Sequence, residues 1–196
     1  MKIIFLMILA ACSTTGRKDC SAELTKIVRA DQDARGNFMN LSQKDLLQMR
    51  EDDIHRREMV RVLADQNCFE SKQDYSNAAL VFQHGDKPED FFQSFQWSKK
   101  AGDKSLMALS LDRYLVSKGM KQLFGSQANK GHDSKCWCLE QTEMNFSDTK
   151  RKVFTGKTLA DQINWMKSMN QGSECPRVYC SRELSPSLTE EHNLQD

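Results

Sequence analysis

Residues 77–119 read NAALVFQHGDKPEDFFQSFQWSKKAGDKSLMALSLDRYLVSKG. Apolar side chains recur there at intervals of three and four residues, the spacing of one face of an α-helix. Gly85 and Gly102 interrupt the run and Gly119 ends it, as glycine commonly does after a helix. The segment therefore predicts three short helices, the last two forming a hairpin around a turn at 101–103.

Polar residues that can cap helices indicate where three of the helices begin. Such side chains accept hydrogen bonds from the free N–H groups of the first turn. The predicted caps are Ser21, Ser42 and Asp86, and a last helix is predicted to start near Thr158. Strand signals are scarce, and one short strand is predicted at Val153-Phe154-Thr155. We expect a mainly α fold: a single small helical domain with a disulfide-stapled, irregular C-terminal part.

The helix after Ser42 carries a dense run of charged residues. Its predicted apolar stripe includes Leu46, Leu47, Ile54, Val60 and Leu63, and its charges include the pairs Asp52 with Arg56 and Asp53 with Arg57. Opposite charges four residues apart stabilise a solvated helix by about 0.2–0.5 kcal/mol per pair. We therefore predict that this charged face is exposed. In the helix after Asp86, the predicted buried face is formed by Phe91, Phe92 and Phe95.

The first twelve residues have the order of a secretory signal. Lys2 is followed by an apolar run at 3–9, by the small pair Ala10-Ala11 and by Cys12. The run is shorter than the roughly 20 apolar residues that cross a bilayer, so it predicts a cleaved leader rather than a permanent span. Leu9-Ala10-Ala11-Cys12 resembles the lipobox of bacterial lipoproteins.

The lipobox resemblance implies that Cys12 becomes the acylated amino terminus and anchors the protein in a membrane. Several acyl chains would make that attachment stable, whereas a single chain gives marginal binding. An aspartate after the cysteine would imply retention in the inner membrane of Gram-negative bacteria. Because Ser13 stands there instead, the resemblance favours the outer membrane, facing the periplasm or the surface.

The charge balance argues against a nucleic-acid partner. Removing residues 1–11 takes away one lysine and leaves 27 basic and 27 acidic side chains. A nucleic-acid binder normally carries a basic excess that neutralises phosphates. We expect no cofactor either; the partner would be a protein or a small molecule. The predicted organisation is a signal peptide at 1–11, a lipidated tether at 12–20, a helical domain at 21–180 (core about 21–128, cysteine-rich extension 129–180) and a disordered tail at 181–196.

Six cysteines remain after Cys12 is assigned to lipidation. They are Cys20, Cys68, Cys136, Cys138, Cys175 and Cys180. An even number in an exported chain predicts three disulfides, for which 15 pairings are possible. Cys136 and Cys138 are too close in sequence to bond each other without strain. The alternative is a zinc site of four thiolates, but neither cysteine spacing is the usual C-x-x-C.

Three polar patterns interrupt segments that otherwise suit burial. They are Gln83-His84-Gly85-Asp86, Asp112-Arg113 and Gln122-Leu-Phe-Gly-Ser-Gln127. Together they resemble a bacterial family of helical domains of unknown function, so the resemblance implies no activity. It covers roughly residues 24–128, with Asp31, Gln32 and Arg35 as a weaker upstream match. Family members commonly have threonine where Ser126 stands, and the part after Gly131 departs from their pattern.

These polar residues permit three interpretations. In the first interpretation, the cluster has no chemical role: its buried charges pair with one another, as buried charges must, and the pairing orients the helices. Alternatively, His84 could be a general acid or base oriented by Asp112, with Arg113 holding an anionic group and with Gln83, Asp86 and Gln127 as binding residues. A metal site of His84, Asp86 and Asp112 is the third hypothesis, but scattered candidates are weak evidence, and we assign no metal.

Two functions follow from these interpretations. The first is a binding or scaffold module held at the cell envelope. The alternative is an envelope hydrolase or transferase that uses His84 and Asp112. The enzyme hypothesis requires these two side chains to lie within about 3 Å of each other or of one shared water.

Overall fold

The computed structural model describes residues 15–36, 41–130, 135–170 and 172–181, with side chains from Cys20 onward. The predicted signal peptide, the lipidation site at Cys12 and the predicted tail, apart from Ser181, lie outside the described residues. Within them, no helix combines the length and hydropathy needed to cross a membrane.

The described part of the chain is mainly helical, as predicted. Its helices are α1 (Thr15–Asp33), α2 (Gln43–Asp65), α3 (Lys72–Gln83), α4 (Pro88–Ala101), α5 (Lys104–Ser117), α6 (Asp148–Thr155) and α7 (Leu159–Ser168). Two short strands, β1 (Ala128–Lys130) and β2 (Trp137–Leu139), pair antiparallel, with Asn129 opposite Cys138. The hairpin of α4 and α5 forms as expected, and Gly102 has a left-handed φ of 74° in the turn.

The largest apolar core lies where α3 packs against α1, α4 and α5. Phe82 of α3 meets Trp97 of α4 edge to face, with ring centroids 4.7 Å apart. A second core beneath α5 is built around Phe124, and a third joins β2 to α7. The aromatic prediction for α4 is correct for Phe91, which is buried, and wrong for Phe92, which is 41% exposed.

One of the three predicted caps is confirmed and two are wrong, and the helix predicted to start near Thr158 begins directly after it. Ser42 and Thr158 each accept a hydrogen bond from the backbone N–H three residues on, in complete capping boxes. Ser21 lies inside α1, where its hydroxyl donates to Asp74 Oδ1 at 2.7 Å. Asp86 does not cap α4; its carboxylate accepts from Arg57 Nη2 at 3.0 Å instead, because the guanidinium competes for the same oxygens.

The buried face of α2 differs in part from the sequence prediction, although Val60 is fully buried as expected. Leu47 and Ile54 are 58% and 54% exposed, whereas Asp53 and Arg57 are buried. The predicted pairs four residues apart do not form; the Asp53 carboxylate accepts from Arg56 Nη2 at 2.6 Å, three residues away. The prediction of an exposed charged face is therefore wrong for Asp53 and Arg57 and correct for Asp52, which is exposed. The physical reason is that counter-charges on other helices converge on α2 and compensate the burial of its charges.

The C-terminal part is more ordered than predicted. Strands β1 and β2 were not anticipated, and residues 153–155, predicted as a strand, form the last turn of α6. The segment before Ser181 joins β2, where the Leu139 N–H donates to the Val178 carbonyl and the Cys180 N–H donates back to the Leu139 carbonyl. Three residues of strand carry too little period-two pattern to be recognised in sequence.

Three disulfides form, as predicted. They join Cys20 to Cys68, Cys136 to Cys175 and Cys138 to Cys180. The first ties α1 to the connection before α3, and the other two tie β2 and the residue before it to the C-terminal segment. Disulfides persist in oxidising compartments, so this cysteine usage is typical of a non-cytoplasmic protein. Each closes a loop of about 40–50 residues and contributes about 2–4 kcal/mol.

Candidate functional site: a histidine and an arginine set on a buried ionic network

Asp112 is fully buried on α5 and holds the loop that follows this helix. Its Oδ1 accepts hydrogen bonds from the backbone N–H groups of Leu123 at 2.7 Å and Phe124 at 3.0 Å. Its Oδ2 accepts from the backbone N–H of Ser126 at 2.9 Å and from the Ser126 hydroxyl at 2.8 Å. Burial raises the pKa of the Asp112 carboxyl, and these four donors oppose the rise. Both carboxylate oxygens of Asp112 are therefore occupied by hydrogen bonds that hold the loop in place.

The loop 122–127 is closed on itself by its two glutamines. Gln122 is buried; its Nε2 donates to the Gln127 carbonyl at 3.0 Å, and its Oε1 accepts from the Gln127 N–H at 2.8 Å. Gly125 has φ 76°, a left-handed conformation, and an added Cβ would lie 3.2 Å from a methyl of Leu159. The left-handed φ favours glycine here, and any larger residue would also require the Leu159 methyl to shift. The two glutamines, five residues apart, therefore hold this loop as a fixed turn.

The loop 122–127 also positions Arg113. The Oε1 of Gln127 accepts from Arg113 Nε at 3.2 Å. Arg113 Nη1 donates to the Gln83 carbonyl at the end of α3, at 2.5 Å. Asp112 therefore acts on Arg113 indirectly, through the loop.

His84 occupies the C-cap of α3, and its imidazole pairs with Asp31 of α1. Nδ1 of His84 lies 2.9 Å from Asp31 Oδ2. Asp31 is 1% exposed, whereas 18% of the His84 side chain is exposed. No hydrogen bond links His84 to Asp112, so the prediction that Asp112 orients His84 is wrong. The orienting carboxylate comes from a helix 53 residues earlier in the chain.

Behind His84 lies a network of four aspartates and four arginines, here called the ionic network. Its members are Asp31 and Arg35 of α1; Asp53, Arg56, Arg57 and Arg61 of α2; and Asp86 and Asp90 before and in α4. Arg35 bridges Asp31 Oδ1 at 2.9 Å and Asp53 Oδ2 at 2.7 Å. Arg57 donates to the His84 carbonyl at 3.1 Å, and Arg61 Nη2 lies 2.6 Å from Asp90 Oδ1.

Gly85 allows the end of α3 and the start of α4 to lie close together. A Cβ built on Gly85 would lie 2.3 Å from the Cβ of Asp90. Real side chains do not tolerate such a distance, so any larger residue would push the start of α4 away from the end of α3. The glycine next to His84 is explained by packing alone.

The predicted site residues fall into two groups. His84, the main chain of Gln83, Asp86, Arg113 and Gln127 are linked directly or through one residue, and Asp112 lies behind the loop. The side chains of the predicted metal ligands His84, Asp86 and Asp112 each have different partners. In the described ranges, no three histidine, cysteine or acidic side chains are arranged to hold a metal ion.

The sequence prediction missed most of the ionic network. From sequence, Asp31 and Arg35 stand out only as a weaker upstream match, and Arg57 is predicted as a surface charge. The available signal was that Asp53 and Arg57 lie seven and three residues before Val60, on the helix face predicted to be buried.

Comparisons of this chain with models of protein families, with curated proteins and with solved structures gave no match. The resemblances to lipoproteins and to a bacterial helical family therefore stay predictions.

A cavity of about 620 Å³ lies apart from this site, beside the two C-terminal disulfides. Trp137, Tyr179 and Glu140 are among its lining residues. It shares no residue with the ionic network or with Arg113, so it is separate from the His84 site.

Proposed function

We propose that this chain is a lipid-anchored protein of the bacterial cell envelope, whose helical domain is a binding or scaffold module with a ligand site at His84. Three disulfides support an oxidising location. The lipobox at residues 9–12 and the neutral charge balance support anchoring through acyl chains rather than through a basic surface.

The observation that carries the ligand site is the partial exposure of His84 on a rigid support. Asp31 fixes Nδ1, and Arg57 holds the backbone carbonyl of the same residue. No described residue forms a hydrogen bond with Nε2 of His84. A polar edge that is fixed in direction and left without a protein partner is suited to contact a ligand.

Labelling with a palmitate analogue tests the anchor. The wild-type chain should incorporate the label and sediment with outer membranes, and Cys12→Ser should lose both properties. Ser13→Asp is the matched variant: it should keep the label and shift to the inner membrane. An unprocessed, unlabelled chain found in the cytoplasm would overturn this part of the proposal.

The stability of His84→Gln tests the site without knowledge of the ligand. Because His84 is partly exposed and glutamine can hydrogen-bond to Asp31, this variant should unfold within about 1 kcal/mol of wild type. Asp31→Asn is the comparison and should lose about 2–4 kcal/mol, since its buried carboxylate receives Arg35 and His84. If both variants lose stability equally, His84 is purely architectural and the ligand site is refuted.

The second candidate is a hydrolase or transferase, and the His84 pair with Asp31 favours it. A buried carboxylate that orients an imidazole is a common arrangement for general acid–base catalysis. Asp112 cannot fill this role because its oxygens are engaged by the loop. The test is turnover of chromogenic carboxylic and phosphoric esters by wild type, which should fall at least about 100-fold in His84→Gln if the chemistry is real. No turnover, or equal turnover by the two proteins, would exclude this candidate for those ester classes.

A further inference from the structure

Arg113 is the one arginine at this site without an acidic partner in the described residues. Its Nε and Nη1 each donate to a neutral oxygen, that of the Gln127 side chain and that of the Gln83 backbone. Its guanidinium also lies over the Phe91 ring, 5.8 Å from the centroid. None of these contacts neutralises its charge.

The ionic network does not supply the missing charge. Its four arginines face its four aspartates, so it is neutral by itself, and the exposed Arg50 adds a further positive charge at Asp86. Burial and the nearby positive charge of Arg35 lower the pKa of Arg113 to about 10. Arg113 is therefore a partly buried cation that has no acidic partner among the described residues, and a counter-charge there would be stabilising.

Donors remain available around this charge. A guanidinium has five N–H donors, and Arg113 uses two of them, which leaves one on Nη1 and both on Nη2. Within the described ranges, the one fully buried side-chain nitrogen or oxygen that lacks a hydrogen-bond partner is Nε of Arg56. Nη2 of Arg113 has no acceptor among the described residues and is not among those fully buried atoms, so it is open to an acceptor from outside them. The side-chain amide of Gln83, a buried residue, likewise has no hydrogen-bond partner among these residues.

We propose that Arg113, together with the free edge of His84, binds an anionic oxygen group of the ligand, either a carboxylate or a phosphate. The planar N–H edge that remains on Nη1 and Nη2 matches the spacing of two such oxygens, and charge-assisted bonds of this kind are the stronger ones. The backbone carbonyl that Arg113 Nη1 binds belongs to Gln83, the residue before His84, so Arg113 and the imidazole would contact the same ligand. This inference rests on the ligand site proposed above and adds the chemical class of its ligand.

Titration of the ¹⁵N-labelled, disulfide-bonded chain with sodium phosphate and, separately, sodium acetate tests the inference at constant ionic strength, with sodium chloride as the baseline. The Nε–Hε signal of Arg113 should shift saturably with at least one of the two anions. Saturation by phosphate alone identifies a phosphoryl group, and saturation by acetate alone identifies a carboxylate. If neither anion shifts the signal beyond the chloride baseline, the inference is overturned.

Variants separate this site from general anion effects. Arg113→Gln should weaken the anion-dependent rise in thermal midpoint at least about ten-fold. Arg29→Gln removes the same charge from an 84% exposed side chain and should leave the rise unchanged. Should Arg113→Gln not fold, the signal of Arg113 in the unmodified chain decides the matter. A failed titration combined with a stable His84→Gln variant refutes the anion while the ligand site stands.

Discussion

Replacing Asp112 by asparagine tests how the candidate site is held in place. The amide has nearly the shape of the carboxylate, so the packing around the fully buried side chain is unchanged. One oxygen can still accept from the N–H groups of Leu123 and Phe124. The other becomes an NH₂ group that faces the N–H and hydroxyl of Ser126, which were bound at 2.9 and 2.8 Å.

The expected loss follows from these contacts. The Ser126 hydroxyl can rotate and accept a hydrogen bond, but its N–H cannot, so one buried donor loses its acceptor at a cost of about 1–3 kcal/mol. The remaining bonds also lose their charge assistance, which contributes a further 1–2 kcal/mol or so, while relief of the buried charge offsets part of the total. We expect Asp112→Asn to lower the free energy of unfolding by about 2–4 kcal/mol and the thermal midpoint by about 5–15 °C.

Thermal and urea unfolding under non-reducing conditions measure this change, and amide hydrogen exchange locates it. Exchange should accelerate at Leu123, Phe124 and Ser126 before it does in α3. Asp33→Asn is the matched control: this side chain is 74% exposed on α1, and its replacement should leave stability unchanged. A loss below about 1 kcal/mol for Asp112→Asn, or unchanged exchange in the loop, would refute the assignment of Asp112 as a positioning residue.

Three further predictions concern packing, helix orientation and cysteine state. Gly85→Ala should destabilise the chain by about 1–3 kcal/mol in urea unfolding, because its Cβ would overlap that of Asp90; an unchanged midpoint would contradict the close approach of α3 and α4. The adjacent variants Asp53→Ala and Ile54→Gln should differ sharply, with a loss above about 2 kcal/mol for the buried aspartate and within about 0.5 kcal/mol for the exposed isoleucine, and the reverse order would restore the orientation of α2 predicted from sequence. Thiol titration of the denatured, unreduced chain should find none of the six cysteines other than Cys12 free, whereas several free thiols would revive the zinc hypothesis.

The helices could be recognised from sequence where local rules were sufficient. The cap at Ser42 and the helix start near Thr158 formed as expected, and so did the turn at Gly102, since each depends on contacts within about four residues. Asp86 shows the limit of these rules. It satisfied the same local pattern as a cap, yet Arg57, 29 residues earlier, took its carboxylate.

The sequence predicted which residues lie at the site better than it predicted which of them bond each other. Gln127 and Arg113 meet, as the joint appearance of their patterns suggested. The partner of His84, however, is Asp31 rather than Asp112. Both aspartates stand in helical segments, and nothing in their local surroundings distinguishes the one that orients an imidazole from the one that holds a loop.

From its sequence alone, this protein can be assigned a mainly α fold, three disulfides and the order of an export signal. Helical period, capping and cysteine number act within short stretches of chain or through simple composition, so they can be seen without coordinates. Tertiary structure decided which face of α2 is buried, which cysteines pair and which acid supports His84. Each of those outcomes depends on charges and thiols from distant segments meeting at one place, where burial of a charge becomes tolerable only because its partner is also there.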